Sequence, residues 1–368
     1  MRLTDATGAR GRLARHRLLT GAIGGAVILG SALASVTVGA ASASAKVKPS
    51  SIHLAFLYAG AAEDFAEEMY LGAQAAAKNT GITLTSLAPD TPVDATAQVS
   101  EFTSAESTSK NGIALETLVP GSFAQPLTQA GKAHIPLVEV DTYIPSPYVK
   151  FYVGNSNTTL GVALANALLP KIPANATGSI VIGTDTPGLP PLVARNNGFT
   201  KRIHKERPNI TFVNFDSTQA PATNLAAWQA AVAANPTALA YVGPGSQDAT
   251  SMADIERTTG KHYLVGADDL DPVALQGIKS GLVQVLVSPE HWLKGYIAVH
   301  ILAEHALNGA KIPSGWWNPG YLVVTKKNIK EIQARQKNAS TRAAWFKKEV
   351  NNELAHPKKY IKPLADIN

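Results

Sequence analysis

The chain contains no cysteine in 368 residues. Disulfides, thiolate metal sites, thiol nucleophiles and a lipid-modified N-terminal cysteine are therefore excluded. Local signatures of catalysis are missing as well. The nine histidines show neither His-x-x-x-His nor His-Glu-x-x-His spacing, and there is no Gly-x-Ser-x-Gly elbow, Walker phosphate loop or Asp-x-Asp-x-Asp-Gly calcium loop. Gly243-Pro244-Gly245-Ser246 is glycine-rich, but one such cluster after a strand reads as a turn. No enzyme, metal or cofactor is implied.

Charged residues make up only 16% of the chain, and the net charge of +6 is concentrated at the start. Arg2, Arg10, Arg12, Arg15 and Arg17 against the single acid Asp5 leave a formal +2 for everything after residue 45. The basic pairs Lys326-Lys327, Lys347-Lys348 and Lys358-Lys359 are scattered as on a solvated helix face, which argues against nucleic acid as a partner. The arginines lead into an apolar, small-residue run from Leu18 to about Ala41 and then Ala41-Ser42-Ala43-Ser44-Ala45. A basic start, an apolar middle and Ala-x-Ala sites predict a secretory signal over residues 1–45, with the mature chain beginning near Lys46. The alternative is an uncleaved membrane anchor, since the run is long enough to span a bilayer.

From Ile52 onward, short β-rich runs alternate with amphipathic stretches of helix length. The first series has runs at Ile52–Tyr58, Ile82–Leu87, Gly112–Thr117 and Ile135–Val140, with helices between them. A second begins after Tyr152-Val153 and has runs at Ser179–Gly183, Thr211–Phe215, Leu239–Val242 and Tyr263–Ala267; Val283–Val287 and a helix over Trp292–Leu307 follow. Such alternation predicts parallel strands joined by right-handed helical crossovers. Two successive series predict an α/β protein of two similar lobes, each a parallel sheet flanked by helices.

In open parallel sheets, ligands sit beyond the carboxyl ends of the strands. The residues found there are Glu63, Asp64 and Phe65 after the first run, Asp141 after the fourth, and Asp268 and Asp269 after Leu264–Ala267. Acids recur at strand ends in both series, and a cleft between two lobes would bring them together.

At these positions the chain resembles the ribose-binding type of periplasmic sugar-binding protein, the extracytoplasmic receptor of ABC importers. The resemblance runs from about Ile52 to Leu307. It is carried by Gly72-Ala73-Gln74 on the first helix, by Gly131–Asp141, by Val153-Gly154-Asn155-Ser156-Asn157 before Leu160-Gly161, by Arg195-Asn196-Asn197-Gly198-Phe199, by Val265–Asp268 and by Lys294-Gly295-Tyr296. It implies two lobes joined by a three-strand hinge at Val153, Gly154 and Asn155, at Val287 and Ser288, and near Pro319 to Leu322. Lobe one is then 47–153 plus 288–320, and lobe two is 154–287 plus 321–368, with the C-terminal part as a helical tail. The implied ligand contacts are Glu63, Asp64, Phe65, Asp141, Arg195, Gln247, Asp268, Glu290 and Trp292.

Each candidate has a plainer alternative. Asp141 and Asp268 are also what a turn after a strand uses, and Glu63 and Asp64 are also helix-start acids favoured by the dipole. Phe65 and Trp292 also suit core packing, Arg195 a surface ion pair, and Asn155 a hinge. The departures from the family pattern are informative too. Thr142 and Val193 stand where sugar binders often carry arginine, whereas the acids are kept. That pattern predicts a neutral polyhydroxyl ligand, or one with a positive group.

The expected protein is therefore an exported, periplasmic or cell-surface, monomeric solute-binding protein. It would close on a sugar or polyol and deliver it to an ABC importer permease. A ligand-sensing subunit of a membrane receptor would use the same lobes. A lactose-repressor-type regulator needs a helix-turn-helix where this chain carries its signal segment.

Overall fold

The alternating runs form two sheets in the computed structural model, which describes residues 47–367. The N-terminal stretch read as an export signal lies outside the described residues. The first sheet is built from β1 (His53–Leu57), α1 (Asp64–Thr80), β2 (Thr83–Leu87), α2 (Ala95–Thr108), β3 (Ile113–Glu116), α3 (Ala124–Lys132), β4 (Leu137–Val140) and β5 (Phe151–Val153). The chain then enters the second through α4 (Asn157–Leu168), β6 (Gly178–Thr184), α5 (Pro190–Glu206), β7 (Ile210–Asp216), α6 (Pro221–Ala234), β8 (Ala240–Gly243), α7 (Ser246–Thr259), β9 (Val265–Asp268), α8 (Pro272–Ser280) and β10 (Val285–Ser288). It returns along α9 (His291–Asn308) to β11 (Gly315–Trp317), crosses again to β12 (Leu322–Val324), and ends with α10 (Ile329–Arg335), α11 (Ala339–Ala355), α12 (Pro357–Tyr360) and β13 (Ile361–Lys362).

Seven strands lie in the order β13-β11-β5-β4-β3-β1-β2 and six in the order β12-β10-β9-β8-β6-β7. Within each sheet every pairing is parallel except the edge pairs β11/β13 and β10/β12. Central strands of such sheets are covered on both faces. Accordingly Leu54, Ala55, Phe56 and Leu57 of β1 are all buried although they alternate in direction.

Helix boundaries follow local chemistry. Glu63 precedes α1, Asp64 and Glu67 occupy its first turn, and Gly81 ends it at φ 76°. Acids at a helix start complement the dipole, and a left-handed glycine closes the last turn.

The same device fixes helix pairs in both lobes. A β-carbon on Gly72 of α1 would lie 1.9 Å from the Trp292 carbonyl oxygen of α9, and one on Gly161 of α4 would lie 1.9 Å from the Arg195 carbonyl oxygen of α5. Gly295 and Gly198 face them across the same crossings. Only glycine permits backbones this close. The contact brings the first turn of α9 and the middle of α5 to the strand ends.

The tail departs from the expected domain limits, in which 321–368 belonged wholly to lobe two. β12 joins the second sheet and α10 packs on α8, but α11 packs against α1 and α9, and β13 pairs with β11 in the first sheet. Aromatic burial accounts for the return. Phe346 stacks on Trp292 with centroids 4.9 Å apart, Tyr360 stacks on Trp317 at 5.6 Å, and the Trp317 indole N–H donates to Glu353 at 2.7 Å. The chain thus passes between the sheets four times. Among the described residues no helix is long and apolar enough to cross a membrane.

Candidate functional site

The carboxyl ends of β1, β4, β6 and β9 converge on a cavity of about 30 Å³ between the lobes, walled by Phe65, Leu118 and Asp141 on one side and by Asp185, Leu192, Arg195, Gln219 and Asp269 on the other. His291, on the first turn of α9, also faces it.

Two of the strand-end acids have left-handed backbones, Asp141 at φ 63° and Asp269 at φ 68°. Such conformations are uncommon outside glycine and cluster at functional positions. They turn the carboxylates off the sheet and toward the gap. The Tyr152 hydroxyl donates to the Asp141 carbonyl at 2.6 Å and holds that turn from β5.

The polar groups form a chain across the lobes. The Lys294 ammonium, fully buried, donates to Asp141 and lies 3.2 Å from His291 Nδ1. His291 Nε2 meets Asp269 Oδ1 of the opposite lobe at 2.7 Å. Arg195 lies 3.4 Å from Asp268 and 3.9 Å from Asp269, and it donates to Asn157 at 3.0 Å and to the Pro244 carbonyl at 2.8 Å. A second bridge runs from the Gln219 amide to Glu63 at 2.7 Å. Gln247, at the start of α7, lies close to Glu63 and opposes the rise in its pKa.

Charge is unevenly compensated. Burial alone would raise the Asp141 carboxyl, but Lys294, His291 and Arg195 together hold it below the ordinary carboxylate range. Asp268 is pushed up to about 8 by burial despite Arg195, and neither of its oxygens has a hydrogen-bond partner among the described residues. Burial likewise raises Glu63, against the opposing hydrogen bond from Gln219.

Of the residues singled out in the sequence, Phe65, Asp141 and Arg195 line the cavity, while Glu63, Gln247 and Asp268 stand immediately behind it. Asp64 turns instead into a neighbouring chamber beside Asp271, Gln336 and Arg342, from which Phe65 divides it. Glu290 and Trp292 are engaged elsewhere. Both Glu290 oxygens accept from Arg335 of the tail, at 3.1 and 3.0 Å, and Trp292 lies between Tyr296 and Phe346.

Four site residues escaped the sequence reading: Asp185, Gln219, His291 and Lys294. Asp185 ends β6 and could have been found by applying the strand-end rule there. The other three have no local signal, because helix packing and a loop carry them in. At the crossings expected as a hinge, the Gly154 N–H donates to the Trp317 carbonyl at 2.9 Å, the Asn155 amide donates to the Gly320 carbonyl at 2.5 Å, and Val287 and Ser288 pair with β9 and β12.

Two mainly parallel sheets with a polar cleft at facing strand ends are the architecture of a two-lobed binding protein. The sequence profile of the periplasmic binding protein domain matches residues 54–311, and the chain belongs to that family.

Similar solved structures include an ABC transporter solute-binding protein from Burkholderia graminis in complex with D-arabinose, 23% identical over 77% of this chain and 98% of that one, with TM-score 0.71. Another is an ABC transporter solute-binding protein from Agrobacterium vitis with bound D-fucose, 22% identical, covering 77% and 98%, with TM-score 0.71. A glucose-galactose binding protein from Geobacillus stearothermophilus is 22% identical, covering 75% and 98%, with TM-score 0.68. None of the curated proteins matches the chain.

Proposed function

We propose that the protein is an exported, monomeric solute-binding protein that captures a sugar or polyol by closing its lobes and presents the closed form to the permease of an ABC importer. Residues 1–45 act as its export signal. The crossings at 153–155, 287–288 and 319–322 act as the hinge, and Asp141, Arg195, Asp268 and the Glu63–Phe65 loop act as ligand contacts.

The observation that carries this reading is the pair of bridges between lobes, Glu63 with Gln219 and Asp269 with His291, around a small cavity walled by carboxylates. Ionised acceptors bind hydroxyl donors in short, strong hydrogen bonds, and Phe65 supplies a ring for an apolar sugar face. Ligand groups inserted between the bridges contact both lobes only when the cleft is shut, which is the differential interaction that closure requires. The sugar-bound neighbours make the same class of ligand the first to test.

Thermal unfolding against pentoses, hexoses and polyols is the direct test. A ligand at about a hundred times its dissociation constant adds roughly 2.7 kcal/mol to the folded state. The expected outcome is a rise of several degrees with one stereochemical series. A flat response to every sugar and polyol contradicts the reading.

A further inference from the structure

The basic side chains of the cleft are all committed to protein groups. Lys294 is held by Asp141 and His291, His291 by Asp269, and Arg195 by Asp268, Asp269, Asn157 and the Pro244 carbonyl. Asp185 is left over. It lines the cavity, is only 6% exposed, and among the described residues it accepts no hydrogen bond and forms no ion pair. Its carboxylate rests against the backbone of Gly245, where a β-carbon would lie 1.9 Å from Asp185 Oδ2, so the absence of a side chain there makes its room. Glu63, immediately behind the wall, accepts only from the neutral amide of Gln219.

A buried carboxylate is stable only with a positive or hydrogen-bonding partner; no hydrogen bond or ion pair among the described residues reaches Asp185, and only the more distant charge of Arg195, already committed to Asp268 and Asp269, acts on it. We infer that the ligand is a cationic polyhydroxyl compound, such as an amino sugar, and that Asp185, with Glu63 beside it, receives its ammonium group. The inference rests on the solute-binding reading above and narrows its ligand class. An anionic solute would meet carboxylates on both walls and no free cation. The electrostatics agree. Burial, and then the repulsion of Asp248, Asp269 and Glu63, push the Asp185 carboxyl well above its ordinary range, and an entering ammonium opposes both effects.

The test is calorimetric titration of the protein with matched pairs, glucose with glucosamine and galactose with galactosamine, and with ethanolamine as a cation without the ring. The expected result is an amino sugar bound about tenfold or more tighter than its neutral parent, the scale of one charge-assisted contact. Asp185→Asn should bring the two within about twofold of each other. Asp185→Ser repeats the comparison should the amide variant fold poorly.

Neutral sugars binding as tightly as their amino partners, or a preference that survives Asp185→Asn, overturns the inference and leaves the solute-binding reading standing. Ethanolamine binding where every sugar fails overturns the sugar reading and keeps the cation subsite. Failure of all five compounds overturns both.

Discussion

Asp268 sits at the end of β9 with neither oxygen hydrogen-bonded among the described residues and its pKa raised to about 8 by burial despite the Arg195 ion pair. Glu139 and Glu353 are raised to about 8, and Glu349 to about 7, for the same reason. Unfolded, such carboxyls titrate near pH 4; folded, these hold their protons several units higher. Between those values unfolding releases protons, so their contribution is full below about pH 4 and is lost as pH rises to about 8. Asp141, which is shifted the other way, acts only at lower pH. The ligand-free protein should therefore lose stability from pH 5 to 8, by up to about 1.4 kcal/mol per pH unit for each carboxyl still titrating. Urea unfolding midpoints would show this, with a shallower slope for Asp268→Asn; stability that rises over the same interval contradicts it. At this scale the sequence was partly legible. The acids after β1, β4 and β9 are visible because strand ends are visible. Glu290 and Trp292 were misleading because their partners, Arg335 and Phe346, arrive from more than forty residues downstream.

Helices α1 and α9 cross with Gly72 and Gly295 against each other's backbone, and α4 and α5 repeat the arrangement with Gly161 and Gly198. An alanine at Gly72 or Gly295 would place its β-carbon 1.9 or 1.8 Å from a carbonyl oxygen, so the helices must part. Each substitution should cost about 1–3 kcal/mol, the range for overpacking. Gly121→Ala, with nothing within 4 Å of the added carbon, should change stability little. Chemical denaturation of the three variants decides, and equal midpoints would contradict the packing argument. Separation of α1 and α9 also moves Lys294 and His291, so the site feels the crossing. Alternating runs made the βα units and most boundaries readable to within a few residues. The three-residue β11 and the two-residue β13 were not readable, because strands that short have no period of their own and exist only through their neighbours.

Two lobes, four passages of chain between them and a cleft that shuts on its own carboxylates form one device. The passages that follow β5 and β11 are tied together by hydrogen bonds from Gly154 and Asn155, and the tail returns over the first sheet. Arg335 clasps Glu290, which itself sits at φ 54° where β10 becomes α9. The two-lobed plan followed from the repeat of the βα series. The return of the tail did not, because it depends on where Trp292 and Trp317 leave aromatic faces open.

The central claim is that the cleft between these lobes holds the ligand. Calorimetric titration of the protein and of Asp141→Asn with the best-stabilising sugar or amino sugar tests it most directly. The expected result is one ligand per chain and an affinity about thirtyfold or more weaker in the variant, the scale of one charge-assisted hydrogen bond. An Asp141→Asn protein that is folded and binds as tightly as the parent would place the ligand somewhere else.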